Sequence, residues 1–527
     1  MRLAPFFAGV ATAAVILTMP AMAEDLKIGI KAEISAADPH VLFGPNRNVG
    51  GQVFEPLFHS DDKQRPVPAL VASWEMSSPT EYVFKLRPNV KFHDGSTLTA
   101  EDVKYSIERA RDLDSPRTFR TYLSGVKTVD AVDDTTFKIT LKSPDAVLIN
   151  NLSTFGIVKK SAVENASEND FNGGKAAIGT GPYKWVKWSP GDSVILEAFP
   201  DYWGGAPKYD KLTYKFIKND STRTAALISG DVNVIDDVPP NLVKRLEGEK
   251  NLRLFSGTSY MLNYLSIDQH HDQSLHIKGN DGQPIGNPLK DARVRKAISL
   301  LINRDLIAKR IMDGLATPAN QMMPEGMDGY VEGLEPVAYD PAAAKKLLAE
   351  AGFPEGFQMT IHCTNDRYMN DAKVCEALGQ LLSAGGIRTS VQTLPGSIFF
   401  ERATSGGPNK EPEFALFMLG FGAANGVADA AFNALVQTYD KEAGRGANNR
   451  GRYSNPEVDR LSRAAAVEAD PEKRKTLIAE ATKIVMDDAG IIPVHHLNGI
   501  WASQSDYAVT PRTDLFTREN NVKHVTK

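Results

Sequence analysis

The chain has 527 residues, 42% hydrophobic and 24% charged, and its 60 basic and 65 acidic side chains give a net charge of −5. That length accommodates two or three packed units at the usual ~100–200 residues each, and the composition excludes a low-complexity or disordered chain. The mild acidity argues against nucleic acid or an anionic membrane surface as a partner.

Residues 1–23 read as a secretory signal peptide. Arg2 supplies a basic start, Phe6 to Met19 is uncharged and mostly apolar, and Ala21-Met22-Ala23 is a small-x-small cleavage signal. The apolar run is shorter than the ~20 residues a membrane helix needs, and no cysteine follows to carry a lipid. A soluble, exported chain beginning at Glu24 is expected. No later stretch has the length and apolarity of a membrane span.

Leu26 to Ile30 reads as a strand, followed by the turn-rich Ser35-Ala36-Ala37-Asp38-Pro39-His40. Alternating apolar residues at Tyr82, Phe84 and Leu86, and at Phe137, Ile139 and Leu141, predict half-buried strands. Between them Thr99 and Asp102 form a capping box ahead of Val103, Ile107 and Ala110, which share one helical face. Trp185 to Trp188 and Val194 to Leu196 flank Ser189-Pro190-Gly191-Asp192 as a hairpin. Ser221 to Ser229 predicts a short helix ended by Gly230, and Val232 to Ile235 a strand.

From about residue 288 helix and strand alternate. Asp291 caps a helix carrying Val294, Ala297, Ile298 and Leu301, and Asp340-Pro341 opens another that ends before Gly352. Phe357 to Ile361, a helix over Lys373 to Leu382, and Ile387 to Val391 suggest a parallel βαβ unit. Phe414 to Leu419 is a buried strand, and Asn455-Pro456 and Asp470-Pro471 start two further helices. The fold class is α/β.

Cys363 and Cys375, the only cysteines, are read in an exported chain either as one small structural disulfide or as two buried thiols. No nucleophile elbow, phosphate loop or dinucleotide loop occurs. The pairs His270-His271 and His495-His496 are poor chelators, because neighbouring residues on a strand face opposite ways and neither pair has the i, i+4 spacing of a helical zinc site. No metal, cofactor or catalytic residue is expected.

Several ordered segments resemble the peptide/nickel-type (family 5) extracellular solute-binding proteins of bacterial ABC importers. They are Val53-Phe54-Glu55-Pro56-Leu57-Phe58, Lys91-Phe92-His93-Asp94-Gly95, Gly179-Thr180-Gly181-Pro182-Tyr183 with Asp201-Tyr202-Trp203, Arg293-Val294-Arg295-Lys296-Ala297-Ile298, Tyr339-Asp340-Pro341, and Arg452-Tyr453-Ser454-Asn455-Pro456. The resemblance implies a two-lobe clamshell with an extra subdomain in lobe I. On that pattern lobe I comprises 24–59, 182–268 and the tail 497–527, the subdomain 60–181, and lobe II 269–496. It further implies a periplasmic monomer that binds its solute between the lobes and delivers it to a permease with its ATPases, meeting the membrane only through that permease.

The resemblance also suggests site residues. Peptide-binding members often carry Gly-Trp-x-x-Asp, whose carboxylate meets the peptide amine; here Gly420-Phe421-Gly422-Ala423-Ala424 keeps an aromatic at Phe421 but has Ala424 at the Asp position. Asn425 is a weaker acceptor nearby, and Asp429 reaches the site only if the loop differs. Arg367, beside Tyr368, matches a position that presents Arg to a ligand carboxylate, although a surface Arg paired with Asp366 or Asp371 reads equally well. Tyr260 lies on the segment crossing toward lobe II, as a cleft residue or as a core or hinge tyrosine. His40 is a further candidate, against a loop histidine of no function. The leading ligand class is a small peptide or peptide-like solute. Alternatives are a metal chelate, an opine or a sugar-like compound, a sensing rather than transporting role, or a secreted hydrolase.

Overall fold

The computed structural model describes residues 25–115 and 117–525. The expected signal peptide and the start at Glu24 lie outside the described residues. Most elements start where the sequence places them. Asp291, Asp340, Asn455 and Asp470 each accept a backbone N–H in the first turn of their helices. Thr99 N donates to the Asp102 carboxylate at 3.0 Å at the head of the helix Ala100–Asp112, and such caps contribute about 1 kcal/mol each. Gly230, at φ 85°, ends Asp220–Ser229 in the left-handed conformation.

Two long strands organise the molecule. Leu252–Ile267 and Ile492–Gln504 run antiparallel. Their register shifts between Thr258 and Leu262, a break at which a strand bends. On one side of it the sheet continues from Ile492–Gln504 through Val234–Ile235, Asp25–Ile30, Lys211–Phe216 and Ser193–Ala198 to Tyr183–Ser189. On the other side Leu252–Ile267 pairs with Leu416–Gly422, then Gln358–Thr364 and Arg388–Leu394. The last two strands run parallel and are joined by the helix Asp371–Ala384, the expected βαβ unit. A separate four-stranded antiparallel sheet comprises Val71–Ser78, Glu81–Leu86, Thr136–Leu141 and Val126–Ala131, with Phe84 stacked on Phe137 at 4.9 Å.

The buried apolar side chains follow this division. One cluster is drawn from 57–157, one from 26–214 with 234 and 501–522, and two from 262–494, while a fifth, smaller one packs 227–246 with 315, 500 and 502 across it. The fold is a two-lobed α/β clamshell with an added sheet subdomain, its two halves sharing the paired long strands.

The buried Glu55 ties the first half together. Its carboxylate accepts from Thr180 Oγ1 at 2.9 Å, Tyr202 OH at 2.7 Å and Trp203 Nε1 at 2.8 Å. Glycine is required on either side of Thr180 because a Cβ at Gly179 would lie 1.9 Å from the Val53 carbonyl, and one at Gly181 2.4 Å from that of Gln52.

Candidate functional site

The strand Leu416–Gly422 delivers the candidate site to the space between the two halves. Phe421 pairs with Leu262 and Gly422 with Met261 on the long strand. Gly420 and Gly422 make room for two tyrosines. A Cβ at Gly420 would sit 2.5 Å from the Tyr368 ring, and one at Gly422 2.3 Å from that of Tyr260. The chain then turns at Gly426, φ 76°, where a Cβ would press on Gln64 at 2.7 Å, and enters the short helix Ala428–Ala431.

Beyond this strand lies a cleft of about 860 Å³. Phe421, Ala424, Asn425 and Asp429 line one wall, and Tyr122, Asp145 and Asn151 the other. The walls belong to different cores, and two contacts join them. Asn425 Nδ2 donates to Asn151 Oδ1 at 3.3 Å, and Ala146 N donates to the Ala466 carbonyl at 2.9 Å. The other amide atom of Asn425, Oδ1, is buried without a partner among the described residues.

The charged side chains lining the cleft are Asp145, Asp429 and Arg463. Burial raises the Asp145 carboxyl above its ordinary range, and the nearby Asp429 raises it further, against the Val147 N–H it accepts. Burial also raises Asp429, although Arg474 binds it. That guanidinium is shared, because it donates to both oxygens of Asp328 at 2.8 and 3.1 Å. Among the residues lining the cleft there is no histidine, cysteine or lysine. Aromatic and aliphatic faces with a few fixed polar groups suit non-covalent retention of a small polar molecule.

The structure brings together Phe421, Asn425 and Tyr260, with Tyr368 packed on the neighbouring Gly420. The Tyr260 hydroxyl is raised by burial, with Arg47 opposing the shift. Arg367 stands apart. It is exposed, its guanidinium 5.9 Å from the Tyr368 ring, and it makes no ion pair with Asp366 or Asp371; instead Asp371 accepts the backbone N–H groups of Arg367 and Tyr368. His40 is also separate. It is fully buried, with Nε2 bonded to the Gly156 carbonyl at 3.0 Å and Nδ1 to Arg109 at 2.9 Å, and burial lowers its pKa to about 4. Cys363 and Cys375 form a disulfide that brackets the loop carrying Arg367 and Tyr368.

Tyr122, Asp145 and Asn151 escaped the sequence reading. They sit in segments without periodicity, and the one local signal is the turn Ser143-Pro144-Asp145, in which Asp145 accepts from Val147 N at 2.9 Å.

The description "bacterial extracellular solute-binding proteins, family 5 Middle" matches residues 65–443. The glutathione-binding protein GsiB of Pectobacterium atrosepticum is 31% identical over 486 residues, 91% of this chain and 90% of that protein. GsiB of Escherichia coli K12 is 29% identical over 494 residues, covering 92% and 91%. Among solved structures, the periplasmic murein tripeptide-binding protein MppA in its unliganded open form superposes with a TM-score of 0.82 at 22% identity, covering 96% of this chain and 98% of that one. HbpA2 of Haemophilus parasuis gives 0.81 at 24% identity, covering 95% and 100%. These two likenesses are of fold.

Proposed function

The chain belongs to family 5 of the bacterial extracellular solute-binding proteins, and from that premise we propose that its solute is a short peptide or peptide-like molecule held between the lobes. The protein is the binding component of an ABC importer and not an enzyme; permease and ATPase subunits are its partners. Membership of this family places its work outside the cytoplasm. Export through a cleaved signal at 1–23 into the periplasm is part of the proposal, as is the division into lobe I (24–59, 182–268, 497–527), its subdomain (60–181) and lobe II (269–496).

The observation that carries the ligand class is the cleft itself. Its volume of about 860 Å³ matches a ligand of a few residues, and its walls come from separately packed cores. Phe421 offers an aromatic face, and Asn425 and Asn151 offer amide groups of the kind that pair with peptide bonds. The glutathione carried by the GsiB relatives is itself peptide-like, which supports the same class. Binding draws the two halves together about the long strands.

The test is a melting-temperature screen of the purified protein against trialanine, reduced glutathione and a nickel–histidine chelate, because a ligand of the native state raises the melting temperature by mass action. A rise with trialanine or glutathione is expected. A rise with the chelate alone would keep the binding role and overturn the ligand class.

A further inference from the structure

A short hairpin, Phe58–Ser60 paired with Pro66–Pro68, turns on Asp61. The Asp61 carboxylate accepts from Lys63 N at 2.9 Å, Arg65 N at 2.8 Å and Arg65 Nε at 2.7 Å, so the tip is a fixed body. Gln64 sits in it at φ 61°, a left-handed conformation that glycine or asparagine adopts at less cost. Strain of this kind collects at functional sites. The Gln64 side chain is also almost fully buried.

The hairpin touches both the hinge region and the second half. Arg512 Nη2 donates to the Ser60 carbonyl at 3.1 Å, and Thr513 donates to the Asp62 carbonyl from N at 2.9 Å and from Oγ1 at 3.1 Å. The Thr513 carbonyl accepts in turn from Tyr260 N at 3.1 Å, inside the register break of the long strands. At its tip the hairpin meets two left-handed glycines of the second half. A Cβ at Gly426 would sit 2.7 Å from Gln64 Cβ, and one at Gly326 3.2 Å from Lys63 Cδ.

Two amide groups are left over at this contact. Gln64 Nε2 is a donor and Asn425 Oδ1 an acceptor, and both are buried without a partner among the described residues. Asn425 is the chain neighbour of Gly426, and its Nδ2 already spans the cleft to Asn151. The leftover groups are complementary and approach from opposite halves. An unpaired buried amide is costly, and one small closing movement removes two such costs together.

We propose that Gln64 is a positioning residue that latches the closed cleft: as the halves draw together on a solute, its Nε2 donates to Asn425 Oδ1 and fixes Asn425 against the bound molecule. Both ends of the Asn425 amide are then used, one toward Asn151 and one toward Gln64. The hairpin links this latch to the break in the long strands through a single rigid piece. The assignment rests on binding between the halves and not on the solute being a peptide.

Gln64→Gly separates a latch from a purely structural role. Glycine suits the left-handed tip, so the melting temperature of the ligand-free variant should stay within about 2 °C. Trialanine should nevertheless bind about 3- to 10-fold more weakly, the worth of one hydrogen bond, through faster dissociation. Adding Gln64→Gly to Asn425→Ala should add little to the loss that Asn425→Ala causes alone, because the two residues share the bond. Additive losses, or unchanged affinity in Gln64→Gly, overturn the latch. Glutathione or the nickel–histidine chelate replaces trialanine where only that solute binds. In the ligand-free protein, Lys63→Cys combined with Gly326→Cys should cross-link under diamide. No cross-link means that the tip does not seat on the second half, which overturns the latch whatever the solute. If none of the three solutes binds the wild-type protein, the peptide reading fails and the cross-link alone decides the latch.

Discussion

Asn425 and Asn151 meet across the cleft, with Nδ2 of the first 3.3 Å from Oδ1 of the second, although 274 positions separate them in sequence. The contact exists only while the walls are close, so it favours closure over opening. Removing it shifts that balance without touching either core. Asn425→Ala should weaken trialanine binding about 3- to 10-fold, the worth of one hydrogen bond, and leave the melting temperature of the ligand-free protein within about 2 °C. Calorimetry and a melting curve read the two effects separately; a large loss of stability with unchanged affinity would contradict the assignment.

Phe421 calls for a different test, because its ring is both a wall of the cleft and a half-buried neighbour of the second-lobe core. Phe421→Ala should cost less stability than the ~3–5 kcal/mol of a fully buried phenylalanine. Loss of the aromatic face should weaken binding about 10-fold, a typical interface anchor. Phe421→Trp should retain most of the affinity. Unchanged affinity in a folded Phe421→Ala protein would remove this residue from the site.

Elements with a local cause were legible in the sequence. The capped helices at Asp291, Asp340, Asn455 and Asp470 and the alternating strands around Phe84 and Phe137 depend on residues a few positions apart. The long strand Ile492–Gln504 was not read as one. Pro493 interrupts its pattern, and that proline sits where the register slips against Tyr264. The motif Gly179-Thr180-Gly181 supported the family resemblance without revealing its purpose, because its partner Glu55 is more than a hundred positions away. In the site, the aromatic strand was legible through Phe421, whereas the opposite wall was not. Asp145 lies on a loop and Asn151 on a short helix, and only the tertiary fold sets them opposite Asn425.

Buried histidines make stability depend on pH. Burial lowers His40, His93 and His495 to about 4. The unfolded chain takes up these protons near pH 6.5 and the folded protein does not, so stability is full above 6.5 and falls as pH drops toward 4. Asp236, raised to about 7 by burial, and the raised Asp145, Asp429 and Glu519 act in the opposite direction over part of this range, against a larger set of lowered histidines that also includes His276, His362 and His496. Melting temperature should therefore decline between pH 6.5 and 4.5. His93 accepts from Gly179 N through Nδ1 at 3.3 Å and donates to the Gly181 carbonyl through Nε2 at 2.9 Å, an arrangement that needs the neutral ring. His93→Gln should flatten the stability profile by about one proton, or roughly 1.4 kcal/mol per pH unit near pH 5. The slope is the readout, so any uniform loss of stability in the variant does not affect it. An unchanged slope would mean that His93 titrates normally in the folded state.

Glu55 is the group whose loss the first lobe should tolerate least. Its side chain is fully buried, and it collects Thr180 from one segment and the neighbours Tyr202 and Trp203 from another. Glu55→Ala would leave a hydroxyl, a phenol and an indole N–H without their acceptor and open a void beside Gly179 and Gly181. Each unsatisfied buried donor costs ~1–3 kcal/mol. Water entering the void recovers part of that, so the net loss should be on the order of 3 kcal/mol, seen as a lower denaturation midpoint with an unchanged m-value. Glu55→Gln keeps the shape and one carbonyl acceptor but points an NH₂ group at donors that have no lone pair to offer except at the hydroxyls, so it should recover only part of the difference. Because the cluster lies in the first lobe's packing and not in the cleft walls, trialanine affinity at low temperature should change little in either variant. A fall in affinity larger than the fall in stability would show that Glu55 also sets the position of the cleft.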